Sequence, residues 1–440
     1  MNQELYDLCQ QVIKEAKLNG ATDCRVLVNK NRSVEIGYRL RRPEVIKEAT
    51  TKGLGLEIYM DGRFSDQSTP DLRPEALKKF VRNACENTRL IEQDPYRSLP
   101  EKKYIENQIS KNLNLFDASI PELPPEKKHE ITKIIENACL KEGGEKVVSV
   151  EAETGFNENK RVIVATNGFE GSRETTSCWA GASMTAQDKG DRRPSGYFYA
   201  SARHLNDIPS FSFIGKEAAK RTMKLLGGKK LPTEKLPIIV ENRVVGNLLW
   251  GLLAATYGSN IQQKRSFLAD KKGKQIASPI FSLIDDPLRE KGLGSSLFDG
   301  DGLPAQKRTI IENGVLNNFL IDWYYSRKLE IEPTTGGTSN LIIPPSGNSL
   351  EKMMKEVGRG ILINSFIGGN SNSTTGDFSI GIIGELFEDG VPVQAVAEMN
   401  IADNHLDFWN KLAGIGNDPW QYGSWMTPSL LFNNVVVSGI

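Results

Sequence analysis

Leu236–Asn260 reads LPIIVENRVVGNLLWGLLAATYGSN, and the fold turns on how this stretch is read. Pro237–Glu241 is β-rich and bounded by turn residues, so a short strand is expected. Asn242 to Tyr257 predicts a helix that is apolar almost all round, carrying Val244, Val245, Leu248, Leu249, Trp250, Leu252 and Leu253. A helix without a polar face belongs in the middle of a large core, and this one is too short to span a bilayer. Its entrance differs. Asn242, Arg243 and Asn247 are polar, with Gly246 just before the last of them. Buried polar groups require partners, so these residues either close a local hydrogen-bond network or mark a site. The run Asn-Arg-Val-Val-Gly-Asn has the shape of a His-Glu-x-x-Gly-His metal motif with every ligand and base replaced.

Beyond this stretch the C-terminal part reads mainly as β. Hairpins are expected at Arg308–Leu320, around Asn313-Gly314, and at Phe378–Ile401, around Asp389-Gly390. Helices are expected at Leu350–Val357 and His405–Leu412, and a last strand at Leu430–Val437. The pairs Gly336-Gly337 and Gly368-Gly369 read as turns needing positive φ.

On the N-terminal side two helix–strand modules are predicted. The first has a helix ended by Gly20, strands at Asp23–Val28, Ser33–Tyr38 and Gly53–Tyr59, and a helix from Pro74. A polar, proline-punctuated link from Asp94 to Phe116 joins it to the second. There Pro125 opens a helix, strands follow at Lys146–Glu153, Arg161–Thr166, Glu170–Ala186 and Gly196–Arg203, and Lys216–Leu226 closes the unit. Helix, strands, helix thus occurs twice, the pattern of an internal duplication with negligible sequence identity. The fold class is α+β: an N-terminal α/β region of these modules, then a mostly antiparallel C-terminal domain around one buried helix. The expected division is 1–110, 111–227 and 228–440.

The 440 residues carry 55 Lys+Arg and 55 Asp+Glu, so no net charge draws the chain to nucleic acid or an acidic membrane. Five cysteines, an odd number with no Cys-x-x-Cys pair, do not form a disulfide framework, which implies a cytosolic protein. Cys9, Cys85 and Cys139 fall on inward helical faces. No signal peptide or transmembrane run is visible.

A zinc peptidase needs three ligands, an open position and a base. The three histidines, His129, His204 and His405, are far apart in sequence, so no metal cluster and no catalytic residue is expected. His129 reads as solvated, His204 and His405 as capping or packing residues. Arg243 stays protonated and cannot act as a base, and Asn242 and Asn247 are poor zinc ligands. Residues five apart on a straight helix do not face one ion, so the metal motif needs a bend at its glycine, which Gly246 is expected to keep. No Ser or Cys stands beside a plausible His. Asp285, Asp286, Asp299 and Asp301 sit in glycine- and proline-rich loops and read as solvated turns, although oxygen ligands could bind a cation. Trp409, Trp420, Tyr422 and Trp425 form an aromatic group around Gly416-Asn-Asp418, open equally to a core role and to a substrate or interface role.

The junction resembles that of the TldD/PmbA family, in which paired subunits form a cytosolic metallopeptidase once called a modulator of DNA gyrase. The likeness continues through Lys264-Arg-Ser-Phe-Leu268, Ser295-Ser-Leu-Phe-Asp299-Gly-Asp-Gly302, Ile311-Glu-Asn-Gly-Val315, Gly376-Asp-Phe-Ser379, Glu398-Met-Asn-Ile-Ala402 and Gly416-Asn-Asp418. In the TldD branch the junction is His-Glu-x-x-x-His, and a later cysteine completes the zinc site. Here those positions hold Asn242, Arg243 and Asn247, and Pro419–Ile440 contains no cysteine. The sequence is therefore similar to the PmbA/TldE branch. The resemblance implies a non-catalytic subunit without its own zinc, paired with a TldD-like subunit that holds the zinc, or self-paired when alone. It also implies extended, unfolded peptides as substrates; physically, such a peptide can be held by addition to a sheet edge. Three alternatives stay open: a peptidase in its own right, a non-enzymatic regulator of gyrase or another protein, and a stand-alone peptide-binding protein.

Overall fold

The structure, a computed structural model, describes residues 3–440. Helix α1 (Gln3–Leu18) buries Cys9, Val12, Ile13 and Ala16. Strands β1 (Asp23–Arg39), β2 (Arg42–Met60) and β3 (Arg63–Thr69) follow, then α2 (Pro74–Thr88). The link carries short helices α3 (Lys102–Ile105) and α4 (Ser119–Glu122). The second unit has α5 (Pro125–Gly143), β4 (Val147–Ala165), β5 (Glu170–Ala186), β6 (Ser195–Ala202) and α6 (Phe211–Met223). All six strands form one sheet, in the order β3-β2-β1-β4-β5-β6. The order reads alike outward from the antiparallel β1/β4 pair, which runs from Arg25↔Ala165 to Arg39↔Glu151.

Two sequence expectations are corrected here. Asn29–Arg32 does not separate two strands, and β4 is likewise one continuous strand. These polar residues are paired on both sides, to Gly53–Thr50 and to Arg161–Glu158. Asn159 Nδ2 donates to Asn29 Oδ1 at 2.8 Å, and Arg32 pairs with Glu48. The β1–β2 hairpin turns at Leu40 and Arg41, both at positive φ (50° and 63°). That geometry normally selects Asn-Gly or Asp-Gly, so nothing in the sequence flagged the turn.

The C-terminal unit begins with β7 (Glu234–Val240), α7 (Val245–Ala254) and α8 (Gly258–Gln262). Strands β8 (Leu283–Asp285), β9 (Arg308–Glu312) and β10 (Val315–Leu316), helix α9 (Trp323–Leu329), strand β11 (Leu341–Ile342) and helix α10 (Leu350–Val357) follow. The chain then forms β12 (Arg359–Ser371), β13 (Asp377–Glu388), β14 (Val391–Asn404), α11 (His405–Asn410), β15 (Leu412–Ile415), β16 (Trp425–Met426) and β17 (Leu430–Ser438). The larger sheet runs β14-β13-β12-β7-β17-β15 and curls until β14 meets β17 at Asn400↔Ser438. Only β12/β7 is parallel in it. A smaller sheet runs β10-β9-β8-β11-β16.

Helix α7 packs inside this unit, with Leu249, Leu252 and Leu253 fully buried. Each such side chain contributes about 1.5–3 kcal/mol. The helix is shorter than expected and is not apolar all round. Asn242–Val244 forms a turn, with Val244 N donating to Glu241 O at 2.9 Å, and helical geometry begins only at Val245. Asn247 is exposed and Trp250 is 54% exposed, so one face of α7 looks out of the core. The change of direction precedes Gly246, which is the second residue of α7 and not the site of a bend. Gly368-Gly369 is not a turn between elements. It is a bulge inside β12, at φ 56° and 107°.

Candidate functional site

The strand–helix junction lies between β7 and α7, and its polar residues are tied to a distant part of the chain. Asn242 Nδ2 donates to Asp418 O at 2.6 Å, Asn242 N donates to Ser429 Oγ, and Thr427 Oγ1 donates to Asn242 O. Asp418 in turn accepts from Ser429 N at 3.0 Å and from Ser429 Oγ at 2.7 Å. Of the two roles open to it, Asn242 therefore has the closed local network.

Arg243 is less completely served. Its side chain is 5% exposed and its Nη2 stands 3.5 Å from Glu241 Oε2. Nε and Nη1 are buried without a hydrogen-bond partner. Glu241 is already held by Arg221 through two bonds of 2.7 and 3.0 Å. The Arg243 guanidinium lies instead over Tyr197 and Phe198 of β6, 5.5 and 5.9 Å from the ring centres. Burial lowers its pKa from the ordinary arginine value, while Glu241 pulls the other way.

Asn247 points away from both, into a cavity of about 460 Å³ between α7 and the end of β12. Trp250, Gly251, Ser371, His405 and Trp425 also line it. Trp250 and Trp425 stack at 6.1 Å and 25°. A Cβ on Gly246 would meet Trp425 Cε3 at 3.1 Å, so the glycine admits the indole against the helix. His405 Nε2 and Ser371 Oγ are 2.9 Å apart, and a Cβ on Gly251 would collide with both. His405 is stacked against Phe267 and Phe378, and its Nδ1 has no partner. Burial pushes its pKa down to about 4, against the pull of Asp403. The imidazole is thus neutral and weakly basic at neutral pH. The cap of α11 is Asn404, whose side chain accepts from Leu406 N, so His405 is a packing residue.

The four aromatic residues grouped by sequence separate in space. Trp409 is fully buried against Phe281, Phe408 and Phe432 and offers no surface. Trp420 and Tyr422 pack on each other, and Trp420 also touches Phe198 and Tyr199, joining the C-terminal unit to β6. Only Trp425 reaches the cavity beside α7. The Ser371–His405 pair, Trp250 and the β12 residues of that cavity were not visible in the sequence. Ser371 and His405 are 34 positions apart, and no local motif links them.

The acidic loops are corrected more sharply. Asp285 is 2% exposed and accepts from Ser339 N and Oγ. With Asp299, Asp301, Asp322, Arg308 and Arg25 of β1 it lines a cavity of about 480 Å³. Arg25 bridges Glu57 at 2.6 Å and Asp301 at 3.4 Å. Burial, then the neighbouring Asp301, raises the Asp299 pKa to about 7. Asp286 is partly buried, 4.0 Å from Lys307. His129, expected to be solvated, is held: its Nδ1 lies 3.1 Å from the Tyr38 hydroxyl.

The donor set at the junction does not fit zinc: one amide is engaged by Asp418 O, one side chain is a guanidinium, and the third faces a neutral cavity. Among the described residues, no group of three or more His, Cys, Asp or Glu side chains is placed to hold a metal ion. Nor is any helix among them long and apolar enough to cross a membrane.

Comparison with known proteins covers nearly all of this architecture. Residues 24–88, 118–226 and 233–439 match, in turn, domain 1, the central domain and the C-terminal domain of the PmbA/TldA metallopeptidases. Metalloprotease PmbA of Escherichia coli O157:H7 is 29% identical over 97% of this chain and 94% of its own length. A Bacteroides thetaiotaomicron protein, named as a candidate modulator of DNA gyrase, is 35% identical over the whole of both chains, with a TM-score of 0.97. TldE of Thermococcus kodakarensis shares the fold at a TM-score of 0.87 and 21% identity, covering 98% of this chain and 100% of its own. With all three domains matched in order and a relative superimposing from end to end, the chain belongs to the PmbA/TldD metallopeptidase family.

Proposed function

We propose that this chain is the PmbA/TldE-type subunit of a cytoplasmic TldD-type zinc peptidase. In this role it carries no catalytic residue of its own and shapes the chamber in which a zinc-bearing partner cuts unfolded peptides. The observation that carries this is the commitment of the junction. Asn242 spends its amide on Asp418 O, and Arg243 is wedged between Glu241 and the β6 aromatics. A guanidinium there repels a divalent ion and cannot deprotonate water. The E. coli relative's name, metalloprotease, supports the peptidase context, and the T. kodakarensis TldE fold supports the branch.

The test is to purify the chain alone and together with a paralogue carrying His-Glu-x-x-x-His, then measure bound zinc and casein cleavage. Zinc and cleavage are expected only in the mixture, with the two chains co-eluting. Stoichiometric zinc and cleavage by this chain alone would overturn the assignment.

A further inference from the structure

Strand β12 is paired with β13 along most of its length, but with β7 only over Ile361–Ile363. From Asn364 to Ser371 no strand lies along its second edge among the described residues. Exposure rises along it, from buried at Ile363 to exposed over Ile367–Ser371. An unpaired edge presents a row of main-chain donors and acceptors ready to take another strand. This edge borders the cavity beside α7, where Trp250 stands half out of the core opposite it.

The lining contains no Lys, Arg, Asp or Glu. Nothing there would attract a phosphate, a nucleotide or a strongly charged partner. It offers aromatic faces, the Asn247 amide and the Ser371 hydroxyl. His405 adds a polar side chain that is 1% exposed and has an unpartnered ring nitrogen. A volume of about 460 Å³ suits a large side chain together with its flanking main chain. We propose that this chain itself binds an extended, uncharged peptide segment, whose main chain pairs with β12 on either side of the Gly368-Gly369 bulge, over Ser365–Ile367 and Asn370–Ser371, while an aromatic side chain packs against Trp250 and Trp425. The binding needs little sequence beyond that one anchor, because main-chain pairing supplies affinity and a pocket supplies preference. It rests on the assignment of the chain to a peptide-handling assembly, and gives this subunit a substrate contact of its own.

The probe is a short fluorescein-labelled threonine–valine peptide with a central phenylalanine, titrated with the full chain alone and followed by anisotropy. Saturable binding is expected. The Trp250→Ala chain is expected to lose about 10-fold in affinity for this peptide while binding its central-glycine counterpart as before. Trp250 is exposed enough for the fold to survive, which circular dichroism checks. Methylating alternate amides of the peptide keeps every side chain and removes donors. One alternating set is expected to weaken binding about 10-fold and the other to have little effect. Absence of saturable binding, an unchanged affinity in Trp250→Ala, or equal effects of the two methylation sets would each overturn the proposal. Zinc-dependent cleavage in the mixture without peptide binding by this chain would remove this contact and leave the partner role standing. Binding here with an inactive mixture would do the reverse.

Discussion

Arg243 offers a quantitative test of the junction, through two substitutions that point in opposite directions. Arg243→Met keeps most of the apolar stem over Tyr197 and Phe198 and deletes the charge. It removes two buried donors that have no partner, each of which costs about 1–3 kcal/mol to leave unsatisfied. Against this stand a 3.5 Å contact to Glu241 and desolvated cation–π contacts worth about 2 kcal/mol or more. Glu241 keeps its two bonds to Arg221 and is not left unpaired. The net change is expected within about 1 kcal/mol of the parent, on either side. Arg243→Glu introduces the carboxylate of the His-Glu-x-x-Gly-His motif but sets it against Glu241 in a buried place. A loss of about 3–5 kcal/mol follows. Equilibrium urea unfolding, read by tryptophan fluorescence, ranks the three chains. A Met variant that loses about 3 kcal/mol or more, or a Glu variant as stable as the parent, would refute the view of Arg243 as an under-partnered buried cation.

Two buried groups are expected to give stability opposite pH slopes. Asp299 is raised to about 7 in the folded chain, so its protonated form is favoured by folding. That contribution is full below the unfolded value of about 4 and is lost as pH climbs towards 7. Asp299→Asn is therefore expected to raise the thermal midpoint at pH 8 and to leave it unchanged near pH 4. His405 is lowered to about 4, so its contribution is full above the unfolded value of about 6.5 and lost as pH falls from there towards 4. His405→Gln is expected to flatten that window in thermal melts. The five cysteines are buried, and burial pushes Cys9, Cys24, Cys139 and Cys178 up to about 12. A thiol reagent such as DTNB is expected to find no reactive cysteine in the native chain and all five after denaturation. The triple change Asn242→His, Arg243→Glu and Asn247→His is expected not to create a tight zinc site. Its first position lies in a turn outside α7, its third faces the cavity, and Pro419–Ile440 supplies no cysteine. Equilibrium dialysis that finds one tightly held zinc would contradict this.

What could be read from the sequence depended on whether the decisive signal was local. Leu350–Val357 carries its own cap, Ser349, and its own apolar stripe, so the expected helix is the observed one. Asp389-Gly390 announces the β13–β14 turn and adopts φ 51° and 79°. Leu40-Arg41 makes the same kind of turn with residues that do not favour it, and the first half of β2 was missed with it. Strand β12 was missed because its glycines mimic a loop. The acidic loops were misjudged because their partners are remote in sequence: Asp285 accepts from Ser339, and Asp301 pairs with Arg25, 276 positions away. At the junction a hydrogen-bond network was one of two readings open, but its members could not be named, because the partners of Asn242 come from Asp418, Thr427 and Ser429.

Those partners bear on how a subunit could lose its chemistry without losing its shape. Three segments converge at the junction: the turn at Asn242, the turn at Asp418 and the stretch from Thr427 to Ser429. Five hydrogen bonds join them. At about 0.5–1.5 kcal/mol for each of the three neutral bonds and about 1.5–3 for each of the two to the Asp418 carboxylate, they contribute roughly 5–10 kcal/mol. A tetrahedral structural zinc is worth about 10–16 kcal/mol in small metal-folded domains, but those domains lack a core of their own. This junction sits against a large one, in which α7 is packed by strands of the curled sheet. A few hydrogen bonds, two of them to the Asp418 carboxylate, then suffice to hold the turn where a metal would otherwise hold it. They also do so without a cation, which the zinc centre proposed for a partner would oppose. Arg243 is the exception, and its burial against Tyr197 and Phe198 turns its charge towards β6 and away from the Asn247 cavity. A wall that is neutral, open-edged and aromatic is therefore compatible with a zinc-bearing neighbour, whereas an exposed guanidinium in the same place would oppose it.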